Sequence, residues 1–210
     1  MALAVAAWLA WARPWRRQLP PSSSLAALLP DAQFRDTTSC RMQAPPARVL
    51  RALREVTIAD MPAATAVAEL RYLPARLLGK APPSVPDAPF LDLLVSERGG
   101  YALLSEDPER ELVIGTTGRL HSLVDQELTQ PDGPESFRRF AAPGHEKLAM
   151  SLRIEDAGAA GCTLVLEHRT QAVDASARRG FSLYWLLIKP GGAFMSRLLL
   201  GAVRRRAEGP

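Results

Sequence analysis

The chain has 210 residues, of which 47% are hydrophobic and 23% charged. That suffices for one ordinary domain whose core needs no metal or disulfide staple. The net charge of +4 is mild and gathers at the two ends, in Arg13, Arg16 and Arg17 and in Arg204, Arg205 and Arg206; this excludes a basic nucleic-acid face in the middle of the chain. The first stretch, "MALAVAAWLAWA", is unbroken apolar sequence. It is shorter than the roughly 20 residues that cross a bilayer. Its positive charges follow the apolar run instead of preceding it, unlike a signal peptide. Trp8, Trp11 and Trp15 fall at helical spacing, and Arg16 and Arg17 follow. Tryptophan beside arginine suits a membrane interface, although Pro14 interrupts the last turn. Three readings stay open here: a tail without structure, a misassigned start, or a weak membrane-interface anchor made by those five residues.

Gln18 to Pro30 is rich in Pro and Ser and reads as a linker with one short helical turn. The expected organisation is therefore a segment and linker over 1–30, then a domain over 31–208. Phe34 to Gln43 is β-friendly and predicts a first strand. Pro45 and Pro46 open a helix with Val49, Leu50 and Leu53 inward. Asp60 is placed to cap a second helix from Pro62 to Leu78, which Pro74 should kink and Gly79 should end. Closely spaced strands follow: Phe90 to Val95, Tyr101 to Ser105, Glu111 to Leu120, Phe137 to Phe140, Lys147 to Ile154 and Cys162 to Val173. The Lys147 to Ile154 stretch alternates strictly, which means one buried and one wet face. The turns between strands are short, so neighbours are antiparallel.

Asp174 is placed to cap a long terminal helix. Phe181, Tyr184, Trp185 and Ile188 share one of its faces, and Leu183, Leu186 and Leu187 extend the apolar surface round most of the rest. Such a helix is buried or in a membrane. "KPGG", Lys189 to Gly192, is expected to interrupt it, which favours burial against a curved sheet. Helices segregated on an antiparallel sheet give an α+β class.

The order of elements and several phrases resemble the SRPBCC (START-like, helix-grip) superfamily, nearest to its uncharacterised bacterial members. The phrases are "APPARVLRAL", "DMP", "LRYLPARLLG", "RELVIGTTGRL", "TLVLEHRTQAVD" and "ARRGFSLYWLLIKPGGAFMSRLLLGAVRRRAE". The resemblance covers roughly Asp31 to Glu208, nearly the whole expected domain. The resemblance implies a curved antiparallel sheet of about six to seven strands gripping the C-terminal helix, with two short helices after strand one. It also implies a cavity between sheet and helix that holds an apolar or amphipathic ligand. A minority of such proteins are cyclases or other enzymes.

Phe181, Tyr184, Trp185 and Ile188 are the candidate cavity residues on the helix. Glu167 and Arg169 share one face of the last strand, with His168 on the other. If the pair faces the cavity it orients a ligand carbonyl or carboxylate. If it faces water it is an ion pair worth little. His121, His145 and His168 are scattered and lack metal-site spacing, and Cys40 and Cys162 read as free thiols. "GFS" at Gly180 to Ser182 lies within a helix and is no nucleophile elbow. "GTTG" at Gly115 to Gly118 lacks the Lys of a phosphate loop. No catalytic set, metal or cofactor site is expected.

The expected function is non-enzymatic binding or carriage of an apolar or amphipathic small molecule. A cyclase- or aromatase-like enzyme in the same cavity is one alternative. A membrane-tethered interaction protein without ligand is another. The expected location is cytoplasmic, with peripheral membrane contact through the N-terminus if that segment is an anchor.

Overall fold

The computed structural model describes residues 23–64, 88–122, 126–158 and 161–209, together with residues 73, 76, 77, 79 and 86. The anchor reading of Trp8, Trp11, Trp15, Arg16 and Arg17 lies outside the described residues, as does most of the helix expected from Pro62 to Leu78. The ends of that stretch are helical, at 62–64, 73 and 76–77.

A five-stranded, curved antiparallel sheet is the centre of the fold. Its strands are β1 (Phe34–Met42), β2 (Ala102–Asp107), β3 (Glu111–Gly118), β4 (Glu146–Gly158) and β5 (Gly161–Ala172). The spatial order is β1-β5-β4-β3-β2. Four strands form a meander, and the first returns to pair with the last. The helices are α1 (Ser24–Leu28), α2 (Pro46–Glu55), α3 (Phe90–Val95), α4 (Pro134–Arg139) and α5 (Ala175–Glu208). A single 3₁₀ turn at Ile58–Asp60 follows α2.

Alternation assigns the two faces. Ile114, Met150, Leu152, Leu164 and Leu166 point inward and join one core with residues of α2, α3 and α5. Their neighbours Val113 and Ala149 point the other way, where α1 and α4 cover them with Leu25, Leu29 and Phe137. The sheet is thus packed on both faces, by a large inner core and a smaller outer one.

Several elements differ from the sequence expectation. Phe90–Val95 is helical because Leu91 and Leu94 both turn onto the inner core. A six-residue apolar run fits either period, so the pattern alone does not separate strand from helix. Phe137 to Phe140 is not a strand either; α4 starts at Pro134, and Phe137 is its single buried anchor. These two changes reduce the expected six to seven strands to five. Asp60 closes a capping box around the 3₁₀ turn, where Thr57 N–H donates to Asp60 Oδ2 at 2.9 Å.

The terminal helix is capped by Asp174, whose side chain accepts from Ala177 N–H at 2.8 Å and Gly144 N–H at 2.7 Å. It then runs without a break through Pro190 to Glu208. Its buried stripe explains the continuity. Ala177, Phe181 and Tyr184 are buried before "KPGG", Lys189 within it, and Ala193, Ser196, Leu199, Leu200 and Val203 after it, so the helix is held down on both sides of the proline. Tertiary packing therefore outweighs the local cost of a proline.

The short helical turn expected in the linker is α1, but the described part of that stretch is packed down as core. Leu25 and Leu29 have no accessible surface, and Leu28 has almost none. Ser23 caps α1, its hydroxyl accepting from Ala26 N–H. The stretch from Ser23 to Ala32 is a strap sealed onto the outer face.

Candidate ligand site between the sheet and the terminal helix

α5 packs chiefly on β1, with further contact to α2 and β5. This places it over one side of the inner face. Register sets the polar side chains beneath it. Asp36 of β1 pairs with His168 of β5, and His168 with Met150 of β4. These three therefore form one row across the inner face. Lys189 comes down from α5 and is buried, and it acts electrostatically on Asp36. Burial raises the Asp36 carboxyl, while Lys189 and then Arg197 pull the other way. Burial likewise lowers the Lys189 ammonium, and Asp36 partly restores it.

His168 belongs to the second strand from the edge, flanked by Asp36 and Met150, on a sheet whose inner face carries α5. A side chain there should be closed off, since interiors pack to crystal-like density. It is instead half-buried. Yet its surroundings are dry enough to push its pKa down to about 4. Tyr101 shows the same combination. It is half-buried against the inner core, and burial, with help from Tyr184, raises its phenol to about 12. Both groups are neutral at pH 7. Accessible surface together with strong desolvation is what a side chain shows when it lines space inside the fold. Leu148, Met195 and Leu198 are half-buried in the same layer.

One end of this layer is closed by aromatic rings. Phe181 sits 4.7 Å from Phe34, 5.7 Å from Tyr184 and 5.9 Å from Trp185, centroid to centroid. Phe181 and Tyr184 are buried; Trp185 and Ile188 keep accessible surface. Four of the sequence candidates, Phe181, Tyr184, Trp185 and Ile188, are therefore brought together, two as packed wall and two partly open.

Beside this cluster, His121 Nδ1 lies 2.9 Å from Oε1 of Glu146, a carboxylate with no accessible surface. The other oxygen of Glu146 accepts from Leu120 N–H at 2.8 Å. His121 lies flat on Gly180 of α5; a Cβ there would come within 2.8 Å of its ring. The glycine in "GFS" thus makes room for an imidazole.

Glu167 and Arg169 are not in this site. They lie on the outer face, and neither sequence alternative describes them. Both are almost fully buried under the strap. Arg169 Nε donates to Glu167 Oε1 at 2.9 Å, and Arg169 also donates to the Leu29 carbonyl at 3.0 Å. Arg153 donates to the other Glu167 oxygen at 3.1 Å. Glu111 adds a link, accepting from Ser151 Oγ at 2.6 Å and Ser24 N–H at 3.0 Å. The group is a satisfied polar layer that fastens the strap.

An open groove of about 920 Å³ lies at the hairpin end of the sheet, among Ser23, Pro45, Asp107, Arg110, Arg153 and Glu155. It is a weaker candidate. Arg153 is already paired with Glu155 and Glu167, and the groove opens broadly to solvent.

Asp36, Lys189 and Tyr101 are not among the sequence candidates, and in the sequence His168 is one of three scattered histidines. The signal for Asp36 is present in "FRDTTSCRM". Alternation puts this charge on the same face as Phe34, Cys40 and Met42, which are core positions. Cys40 and Cys162 share that inner face but are offset in register, and both are free thiols.

No family model matches the chain, and no curated protein matches it. Among solved structures, protein MLL2253 from Mesorhizobium loti is 12% identical, with 83% of this chain and 96% of that chain covered and a TM-score of 0.37. The di-domain ARO/CYC BexL from the BE-7585A biosynthetic pathway is 15% identical, with 83% of this chain and 46% of that chain covered and a TM-score of 0.34.

Proposed function

We propose that the protein binds an apolar or amphipathic small molecule in the layer between the inner face of the sheet and α5. The observation that carries this reading is His168, half-buried on β5 between β1 and β4 yet strongly desolvated. Apolar side chains make up most of the surrounding wall, and a few polar groups converge in it. That is the usual make-up of a small-molecule site. The polar groups also indicate the ligand's polar end. His168 and Tyr101 stay neutral at pH 7, and Asp36 and Lys189 balance each other. A dry site of this kind penalises an added unpaired charge. A neutral hydroxyl or carbonyl suits it better than a carboxylate or phosphate. The reading is of binding or carriage, with no reaction required.

An enzyme of the cyclase type in the same space is the second reading, and the His121–Glu146 pair is what favours it. A buried carboxylate on one ring nitrogen orients a histidine for proton transfer.

The neutral apolar fluorophore N-phenyl-1-naphthylamine tests the binding reading. It should bind the full chain with an emission increase and a blue shift. His168→Trp should fill the space and lower affinity at least about tenfold with an unchanged circular dichroism spectrum. Equal binding by the two proteins would overturn the site. His121→Gln should leave binding unchanged on the first reading.

A further inference from the structure

We propose that the outward face of α5 docks flat on an anionic phospholipid bilayer. The helix buries one stripe against the sheet and leaves a second apolar stripe on the opposite side. Leu183 is 74% exposed, Leu187 60% and Phe194 43%. At 100° per residue these three fall within about 40° of one another, roughly opposite the buried stripe. Arg179 and Arg197 are exposed and lie just beside the same line, one beyond each end of the apolar run. From Leu183 to Phe194 the stripe is about 16 Å long. α5 is the one helix among the described residues that is long and apolar enough to cross a membrane, but 39% of its most apolar window is buried inside the protein. With its other side on the sheet, it can lie on a bilayer but not span one.

The charges decide the occupant. A second copy meeting this stripe antiparallel would set Arg179 against Arg197. Parallel packing would set each arginine against itself. Both arrangements oppose like charges at the rim of a small apolar contact. A helical peptide partner would need a groove, and the stripe is a ridge on the convex side of a helix. A bilayer accepts a ridge. Leucine and phenylalanine enter the acyl boundary while arginines at both ends meet anionic headgroups, the pattern of an interfacial helix. The isoelectric point near 9.5 adds to the attraction. With so few apolar side chains the contact is weak and reversible.

Sedimentation of the full chain with vesicles tests this. Vesicles of phosphatidylcholine with phosphatidylglycerol should carry the protein down, and raised salt should release it. Leu183→Asn with Leu187→Asn should lower the partition coefficient at least about tenfold. Arg179→Gln with Arg197→Gln should lower it by about tenfold on the anionic vesicles and hardly at all on phosphatidylcholine alone. All four side chains are exposed, so the melting temperature should not move. The leucine pair is the decisive comparison, since binding through any other part of the chain would survive it. Undiminished sedimentation of that variant, or no sedimentation of the parent, would overturn the proposal. So would a concentration-dependent dimer that the leucine pair abolishes. The fluorophore assay reads the interior of the fold, so failure there and failure here are separate results.

Discussion

His168 ties the interior of the site to the stability of the fold. In the unfolded chain its imidazole titrates near the ordinary value of 6.5; in the fold, burial holds it at about 4. Between these values the unfolded state binds the proton and the native state does not. The stabilising contribution is therefore full above pH 6.5 and is lost as pH falls towards 4. The gap is worth roughly 3 kcal/mol, to order of magnitude. Asp36 in the same row works in the opposite direction. Its raised carboxyl makes the native state bind the proton more tightly, so its contribution falls as pH rises through the range above 3.8. Lys189 of α5 acts on Asp36 and is itself lowered by burial. The comparison that isolates the histidine is His168→Gln. In urea unfolding the parent should lose clearly more stability between pH 7 and pH 4.5 than the variant. Parallel losses in the two proteins would mean that His168 is solvated. Register made this residue legible in part: strand alternation separates His168 from Glu167 and Arg169. What alternation leaves open is which face holds the helix and what lies above it.

The least legible element is the strap, and its energetics are the most direct to test. "PPSSSLAALLP" has the composition of a linker, yet Leu25, Leu28 and Leu29 reproduce a short helical anchor. Three leucines in so short a stretch bury little on their own. Their effect depends on an outer sheet face whose own side chains, Val113 and Ala149, are small and apolar. The carbonyls that follow are held by arginines from the sheet. Arg169 takes Leu29, and Arg35 takes Ala32 and Pro30 at 3.3 Å each. Leu25→Ala or Leu29→Ala should therefore each cost about 2–5 kcal/mol, as in any close-packed core. Leu183→Ala on exposed α5 should cost almost nothing. If guanidinium unfolding gives a loss below about 1 kcal/mol for both strap variants, the segment is a loose cover. The strands are legible because hairpin turns and period-two alternation are local signals. α3 and α4 are not, because six residues hold less than two turns of helix. α5 was expected to break because its continuity is enforced largely by β1 and α2, which are distant in sequence.

Two cores on opposite faces of one sheet give the whole molecule a simple thermodynamic structure. The outer core holds the strap and has no part in the proposed ligand site. The inner core surrounds it. A ligand that binds only the folded state adds stability according to its concentration relative to Kd, whatever the baseline. At about 100 times Kd the increment is about 2.7 kcal/mol. For a chain of this length that corresponds to roughly 5–10 °C in Tm. N-phenyl-1-naphthylamine at such an excess should raise the Tm of the parent by that amount. Leu25→Ala should start lower and receive nearly the same increment, because sites on opposite sides of the sheet share no partner and their effects add. His168→Trp should receive little or none. This arrangement of three melting curves separates the proposed site from general hydrophobic adsorption. A dye that merely coats apolar surface favours the unfolded chain and lowers Tm. If the parent and His168→Trp shift together, the fluorophore binds elsewhere and the inner layer is closed core. If Leu25→Ala loses the increment while His168→Trp keeps it, the outer face under the strap is the ligand site and Arg169 and Glu167 belong to it.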